Sequence, residues 1–236
     1  MTIGELRHEL EQRGISVPES AFDSFVKLAA LLKEWNAKFN LTAIDEPEEV
    51  YEKHILDCLL PLKTEDIHGS VLDVGSGAGF PGLIWAIVRP DCMFTLLEPT
   101  AKRCRYLETA AKELALSNVR VENARAEEFV RDHRESFDVV TARAVANLPV
   151  LSELCVPLVK TGGFFSAMKG AQGEAEANEA AYALRVLGCE DPEVRFMRLP
   201  SGDERTVVHA GKVKETPGKY PRAYGQIKHK PLLGKG

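Results

Sequence analysis

Val71-Leu72-Asp73-Val74-Gly75-Ser76-Gly77-Ala78-Gly79-Phe80-Pro81-Gly82 decides how the rest of the chain is read. An apolar run carrying one acid breaks into a glycine-dense turn, and the apolar residues Leu83 to Val88 follow at once. That pattern predicts a buried strand, a tight loop and a helix. Glycines let the backbone of such a loop approach a ligand where side chains would block it. Gly77 to Gly82 formally satisfies the G-x-G-x-x-G dinucleotide fingerprint, a weak signal by itself. Asp73, two residues ahead of the Gly75, Gly77, Gly79 series, suits a ligand with a cationic amino-acid portion better than one carrying pyrophosphate.

Outward from the loop, short apolar runs alternate with amphipathic stretches. Strands are expected at 93–97, 119–122, 137–141 and 164–168, and helices at 83–88, 102–114, 150–159 and 174–187. Such alternation implies right-handed βαβ units in a mostly parallel sheet. Two more strands, near 194–199 and 205–210, flank Pro200-Ser201-Gly202 and should pair antiparallel across so short a turn. Ligands of such sheets bind outside the strands' C-terminal ends. Glu98 stands there, 21 residues after Gly77, where a carboxylate can accept both hydroxyls of a ribose or simply start the helix after Pro99-Thr100. Ala126 and Glu127 follow the third strand and can read an adenine edge.

Before the loop, residues 1–62 read as a helical lead-in. Phe22, Phe25, Ala29, Leu32, Asn36 and Phe39 recur at helical spacing after Pro18, stopping near Asn40. A second helix is expected over 47–60, with His54 and Asp57 as a hydrogen-bonded pair that fixes the lead-in onto the sheet domain. Trp35 and Phe39 read as packing residues. Residues 63–213 form the sheet domain and 214–236 a tail.

With 44% hydrophobic and 28% charged residues, the 236-residue chain reads as an ordinary globular protein. The five cysteines include no C-x-x-C pair, so neither a disulfide framework nor a metal site is expected. The start MTIGELRHELEQRG lacks a signal-peptide pattern and no long apolar run occurs, so the expected location is cytoplasmic, with no membrane contact. Net charge is -5, yet residues 212–236 carry +6. Tyr220-Pro221-Arg222-Ala223-Tyr224 interleaves aromatics with a cation and makes this tail a candidate RNA contact.

The sequence resembles class I S-adenosylmethionine methyltransferases, and more narrowly the RsmG (GidB) family of bacterial 16S ribosomal RNA guanine-N7 methyltransferases. The resemblance spans nearly the whole chain. It rests on Trp35-Asn36-Ala37-Lys38-Phe39-Asn40-Leu41-Thr42, His54-Ile55-Leu56-Asp57, Gly79-Phe80-Pro81-Gly82, Lys102-Arg103, Thr141-Ala142-Arg143-Ala144-Val145-Ala146, Lys169-Gly170 and Tyr220-Pro221-Arg222. It implies a Rossmann-like seven-stranded sheet, and S-adenosylmethionine held by Gly75, Phe80, Glu98, Pro99, Thr100, Ala126, Glu127 and Arg143. The implied partner is small-subunit ribosomal RNA, free or within a ribosomal particle. Ala223 and Gln226 depart from the family's usual basic residue and proline.

Neither the Asn/Asp-Pro-Pro set of exocyclic-amine methylation nor a cysteine near the fourth strand's end is present. Guanine N7 offers an in-plane lone pair and needs no base. Arg143 is the candidate catalytic residue, through the cofactor or guanine O6, against an ion pair with a helix acid. Lys102, Arg103, Lys169 and Arg205, with Arg222 from the tail, are candidate RNA contacts. A different RNA or small-molecule acceptor, a nicotinamide-dependent oxidoreductase, and a non-catalytic RNA binder remain open at this point.

Overall fold

The computed structural model describes residues 1–234; Lys235, counted above among the tail's cations, lies outside them. Five parallel strands come first: β1 (Ser70–Val74), β2 (Met93–Leu97), β3 (Val119–Glu122), β4 (Phe137–Arg143) and β5 (Val159–Lys169). β6 (Glu193–Arg198) and β7 (Glu204–Gly211) then pair antiparallel across the expected turn, and β7 inserts beside β5. The sheet order is β3-β2-β1-β4-β5-β7-β6. Strand order reverses at β1, which opens the ligand crevice between the ends of β1 and β4.

Helices cover both faces, which is why Val71, Leu72, Val139 and Val140 are buried in continuous apolar runs. One face carries α5 (Gly82–Val88), α6 (Ala101–Glu113) and the lead-in helices α1 (Ile3–Arg13) and α2 (Ser20–Phe39). The α1 start is fixed by a reciprocal Thr2–Glu5 capping box, and α2 stops where Asn40 turns left-handed. Leu6, Phe25, Leu32, Trp85 and Tyr106 belong to one uninterrupted core, so lead-in and sheet are packed together. Trp35 and Phe39 lie against each other, and Trp35 reaches Tyr106. The opposite face carries α7 (Ala126–His133), α8 (Leu148–Cys155) and α9 (Gly173–Leu187).

Two expected helices differ. The one over 47–60 is a composite: α3 (Pro47–Val50), a π-helical stretch at Tyr51–Leu56, α4 (Asp57–Leu59) and a 3-10 turn at Leu60–Lys63. The helix expected to reach residue 159 ends at Cys155, because Pro157 has no N–H to continue it; Val159 already belongs to β5. The tail packs on the molecule: Tyr220 and Ile227 are buried, and α10 (Tyr224–His229) lies against α8. No helix of the described residues is long and apolar enough to cross a membrane.

Candidate functional site

The glycine loop is stitched to the end of β2, since the N–H groups of Gly75 and Ser76 both donate to the Leu97 carbonyl at 2.8 and 3.2 Å. Gly75 has a φ of 71°, and a Cβ there would sit 2.7 Å from a Val145 methyl. Gly77, at φ 57°, is different: a Cβ would face nearly open space, so its glycine answers to backbone conformation and to whatever the loop receives.

Asp73 is completely buried. Its Oδ2 accepts the Gly82 N–H at 3.0 Å, which ties the strand end to α5, while Oδ1 has no partner. Burial pushes its carboxyl up to about 7, against the opposing pull of the Gly82 hydrogen bond. Thr141 and Ser166, its register neighbours across β4 and β5, likewise bury unpartnered hydroxyls. A polar row thus underlies the crevice.

Glu98 is only 2% exposed. Oε2 accepts the Gly77 N–H at 3.0 Å and Oε1 the Thr100 N–H at 2.9 Å, so one carboxylate fixes both the loop and the start of α6. Beside it a largely apolar cavity of about 180 Å³ opens between Gly75, Pro99, Ala126 and Glu127, with Val145 and Leu154 behind. Arg125 pairs with Glu127 at 2.8 Å on its rim. Phe80, expected at the cofactor, faces the lead-in and stacks on His54 with centroids 4.5 Å apart.

Arg143 ends β4 and binds the lead-in. Its Nη2 donates to the Lys53 carbonyl at 2.8 Å, pairs with Asp57 at 3.0 Å and lies 3.1 Å from His54 Nδ1. The expected His54–Asp57 pair is therefore corrected: the two residues meet through Arg143, not each other. Nδ1 lies equally close, 3.1 Å, to the Lys53 carbonyl, and Nε2 faces Thr42 Oγ1 at 3.3 Å, so both ring nitrogens have polar neighbours. Burial and the Arg143 charge lower the His54 imidazole to about 4, so it is neutral at pH 7. Ala144 follows in a left-handed conformation, φ 57°, turning the chain sharply at the strand end.

A second cavity, about 320 Å³, adjoins Arg143 and is lined by Asp57, Lys169, Glu176, Arg205 and Met197. Its charges are mutually paired: Asp57 also meets Arg205 at 3.2 Å, and Lys169 meets Glu176 at 2.8 Å. Lys169 and Arg205 are thus brought together with Arg143. Lys102 and Arg103 stand elsewhere, at the start of α6; Lys102 lies 5.9 Å over the Phe39 ring and Arg103 is 3.9 Å from Glu98. Arg222 does not join either group. It donates from its backbone N–H, Nε and Nη2 to the fully buried Glu153, so its charge is compensated inside the fold. Glu176, which lines the second cavity, carried no signal as a site residue, and Asp57 was read only as a structural partner of His54, because its cationic partners Arg143 and Arg205 come from distant strands. Among the described residues, no cluster of His, Cys, Asp or Glu is arranged to hold a metal.

Strand order and the loop–acid–pocket arrangement define the class I S-adenosylmethionine-dependent methyltransferase fold. The sheet region is similar to precorrin-6y C5,15-methyltransferase from Geobacter metallireducens, with a TM-score of 0.54, 16% identity, and 66% of this chain covering 87% of that one. It is also similar to a mutant 16S rRNA (adenine(1408)-N(1))-methyltransferase from Catenulisporales acidiphilia, at TM-score 0.52, 17% identity, and coverage of 65% and 87%. The GidB profile, described as rRNA small subunit methyltransferase G, matches residues 21–207. A relative from Oceanobacillus iheyensis named ribosomal RNA small subunit methyltransferase G is 43% identical over 95% of this chain and 97% of its own length. The chain belongs to the rRNA small subunit methyltransferase G family.

Proposed function

We propose that this protein transfers a methyl group from S-adenosylmethionine to N7 of a guanine in 16S ribosomal RNA, free or within a small-subunit particle. The residues present fit the cofactor. The unpartnered Oδ1 of Asp73 suits the ammonium of its amino-acid part, Glu98 retains lone pairs for ribose hydroxyls, and the cavity beside Pro99, Ala126 and Glu127 suits adenine. Bound there, it supplies an electrophilic methyl group.

The carrying observation is that, among the described residues, the adjoining cavity holds no carboxylate free of an ion pair. Asp57 and Glu176 are both ion-paired, and the neighbouring His54 is buried with both ring nitrogens against polar partners, Arg143 and the Lys53 carbonyl at Nδ1 and Thr42 at Nε2. An acceptor that must lose a proton before attack would be poorly served, whereas guanine N7 presents a lone pair as it stands. Catalysis is then orientation, for which positioning supplies up to roughly 7–11 kcal/mol. Arg143 acts as a positioning residue: it lines the second cavity and holds the lead-in against β4. Lys169 and Arg205 offer cationic edges to the base, and Lys102 and Arg103 face the RNA backbone. Small subunits from cells lacking this protein, incubated with it and labelled donor and then digested to nucleosides, should yield 7-methylguanosine. A label on another nucleoside, or none, overturns the reading.

A further inference from the structure

The tail was expected to meet RNA, yet its aromatic residue Tyr224 lines the cavity shared by Gly75, Pro99, Ala126 and Glu127. We propose that Tyr224 is a cofactor-contacting residue, its ring forming the outer wall of the adenine slot, and that the C-terminal segment is a structural part of the donor site. This rests on the S-adenosylmethionine reading above.

The placement is built, not incidental. Arg134 donates to the carbonyls of Tyr220 and Thr216 at 2.8 and 2.6 Å, which pins the chain as it leaves the sheet. Arg222 then grips Glu153 of α8 through three donors, and Glu153 is next in sequence to Leu154, which lines the same slot. Ile227 is fully buried among α8-side core residues. Between these anchors Tyr224 stays half-buried, with the Arg125 guanidinium 4.9 Å from its ring centroid. Val74, Leu97, Pro99, Ala126, Val145 and Leu154 give the cavity its apolar surface, and the Arg125–Glu127 ion pair completes the lining. A largely apolar cavity bordered by an aromatic ring suits a purine face, and every base stacks on such a ring.

The test is calorimetric titration of the full chain with S-adenosylhomocysteine, for wild type, Tyr224→Ala and Tyr224→Phe, with ligand-free thermal unfolding of each. Alanine should weaken binding about tenfold or more, the loss that follows when a base gives up an aromatic stacking partner. Phenylalanine, which keeps the ring, should bind within about twofold of wild type, and the ligand-free midpoints should agree closely. Undiminished affinity in Tyr224→Ala, with wild type binding normally, overturns the inference alone. Equal losses in both variants overturn it as well, since the hydroxyl and not the ring face would then matter. Failure of wild type itself to bind overturns the underlying donor-site reading.

Discussion

Gly77 and Glu98 show what single residues contribute to the loop. Gly77→Val introduces a β-branched side chain at φ 57° into the open side of the loop. Donor binding should be lost in titration while circular dichroism shows an intact fold; undiminished affinity would remove the loop from the site. Glu98→Gln keeps the shape but presents one oxygen and one NH2 to two backbone N–H donors, so either Gly77 or Thr100 loses its acceptor. Roughly 1–3 kcal/mol of donor binding should go, with a loss of thermal stability beside it. A drop in stability with an unchanged dissociation constant would leave Glu98 as a helix-start residue only. These positions were legible in the sequence because loop, acid and strand are separated by fixed local spacings. Arg143 was legible only as a site candidate: its partners Lys53, His54 and Asp57 lie more than eighty residues away in sequence, and no spacing rule links them.

Among elements, the strands were the most legible. Met93–Leu97 falls where a short apolar run predicts a strand, and Val119–Glu122, at the edge of the sheet, where valines alternate with Arg120 and Glu122. Elements held by distant side chains were hidden. The amphipathic pattern over 47–60 gave no warning of π-helical geometry, and α10 is six residues whose position depends on Glu153 and Arg134. Its basic composition pointed outward to RNA, while Arg222 turns inward to a carboxylate. Deleting Tyr220 onward therefore leaves Glu153 buried without its cation, a change that typically costs about 3–5 kcal/mol. We expect the unfolding midpoint and donor affinity to fall together, with Arg222 contributing nothing to the salt slope of RNA binding. A truncated protein of unchanged stability whose slope flattens by about 0.7–0.9 per lost contact would return the segment to RNA binding.

For the molecule as a whole, two buried groups act on stability in opposite directions over the same pH range. His54 is lowered from 6.5 to about 4, so between those values the unfolded chain carries a proton that the folded one lacks, and stability falls as pH falls. Asp73 is raised from 3.8 to about 7, so in that window the folded chain carries the extra proton and stability rises as pH falls. Each slope is about 1.4 kcal/mol per pH unit, and they largely cancel between pH 4 and 6.5. Above pH 7 the ionised Asp73 is a destabilising buried charge, which the cationic group of the proposed ligand would offset. Asp73→Asn keeps the shape, and its side-chain carbonyl can still accept the Gly82 N–H, but it cannot ionise. The variant should equal wild type near pH 4 and exceed it by on the order of 2–4 kcal/mol at pH 8, while binding donor far more weakly. Its own profile should then show the uncompensated His54 slope, rising from pH 4 to 6.5. Denaturant unfolding of both proteins across pH 4–8 measures this directly, and a difference between them that does not grow with pH would mean that Asp73 is ionised throughout the range.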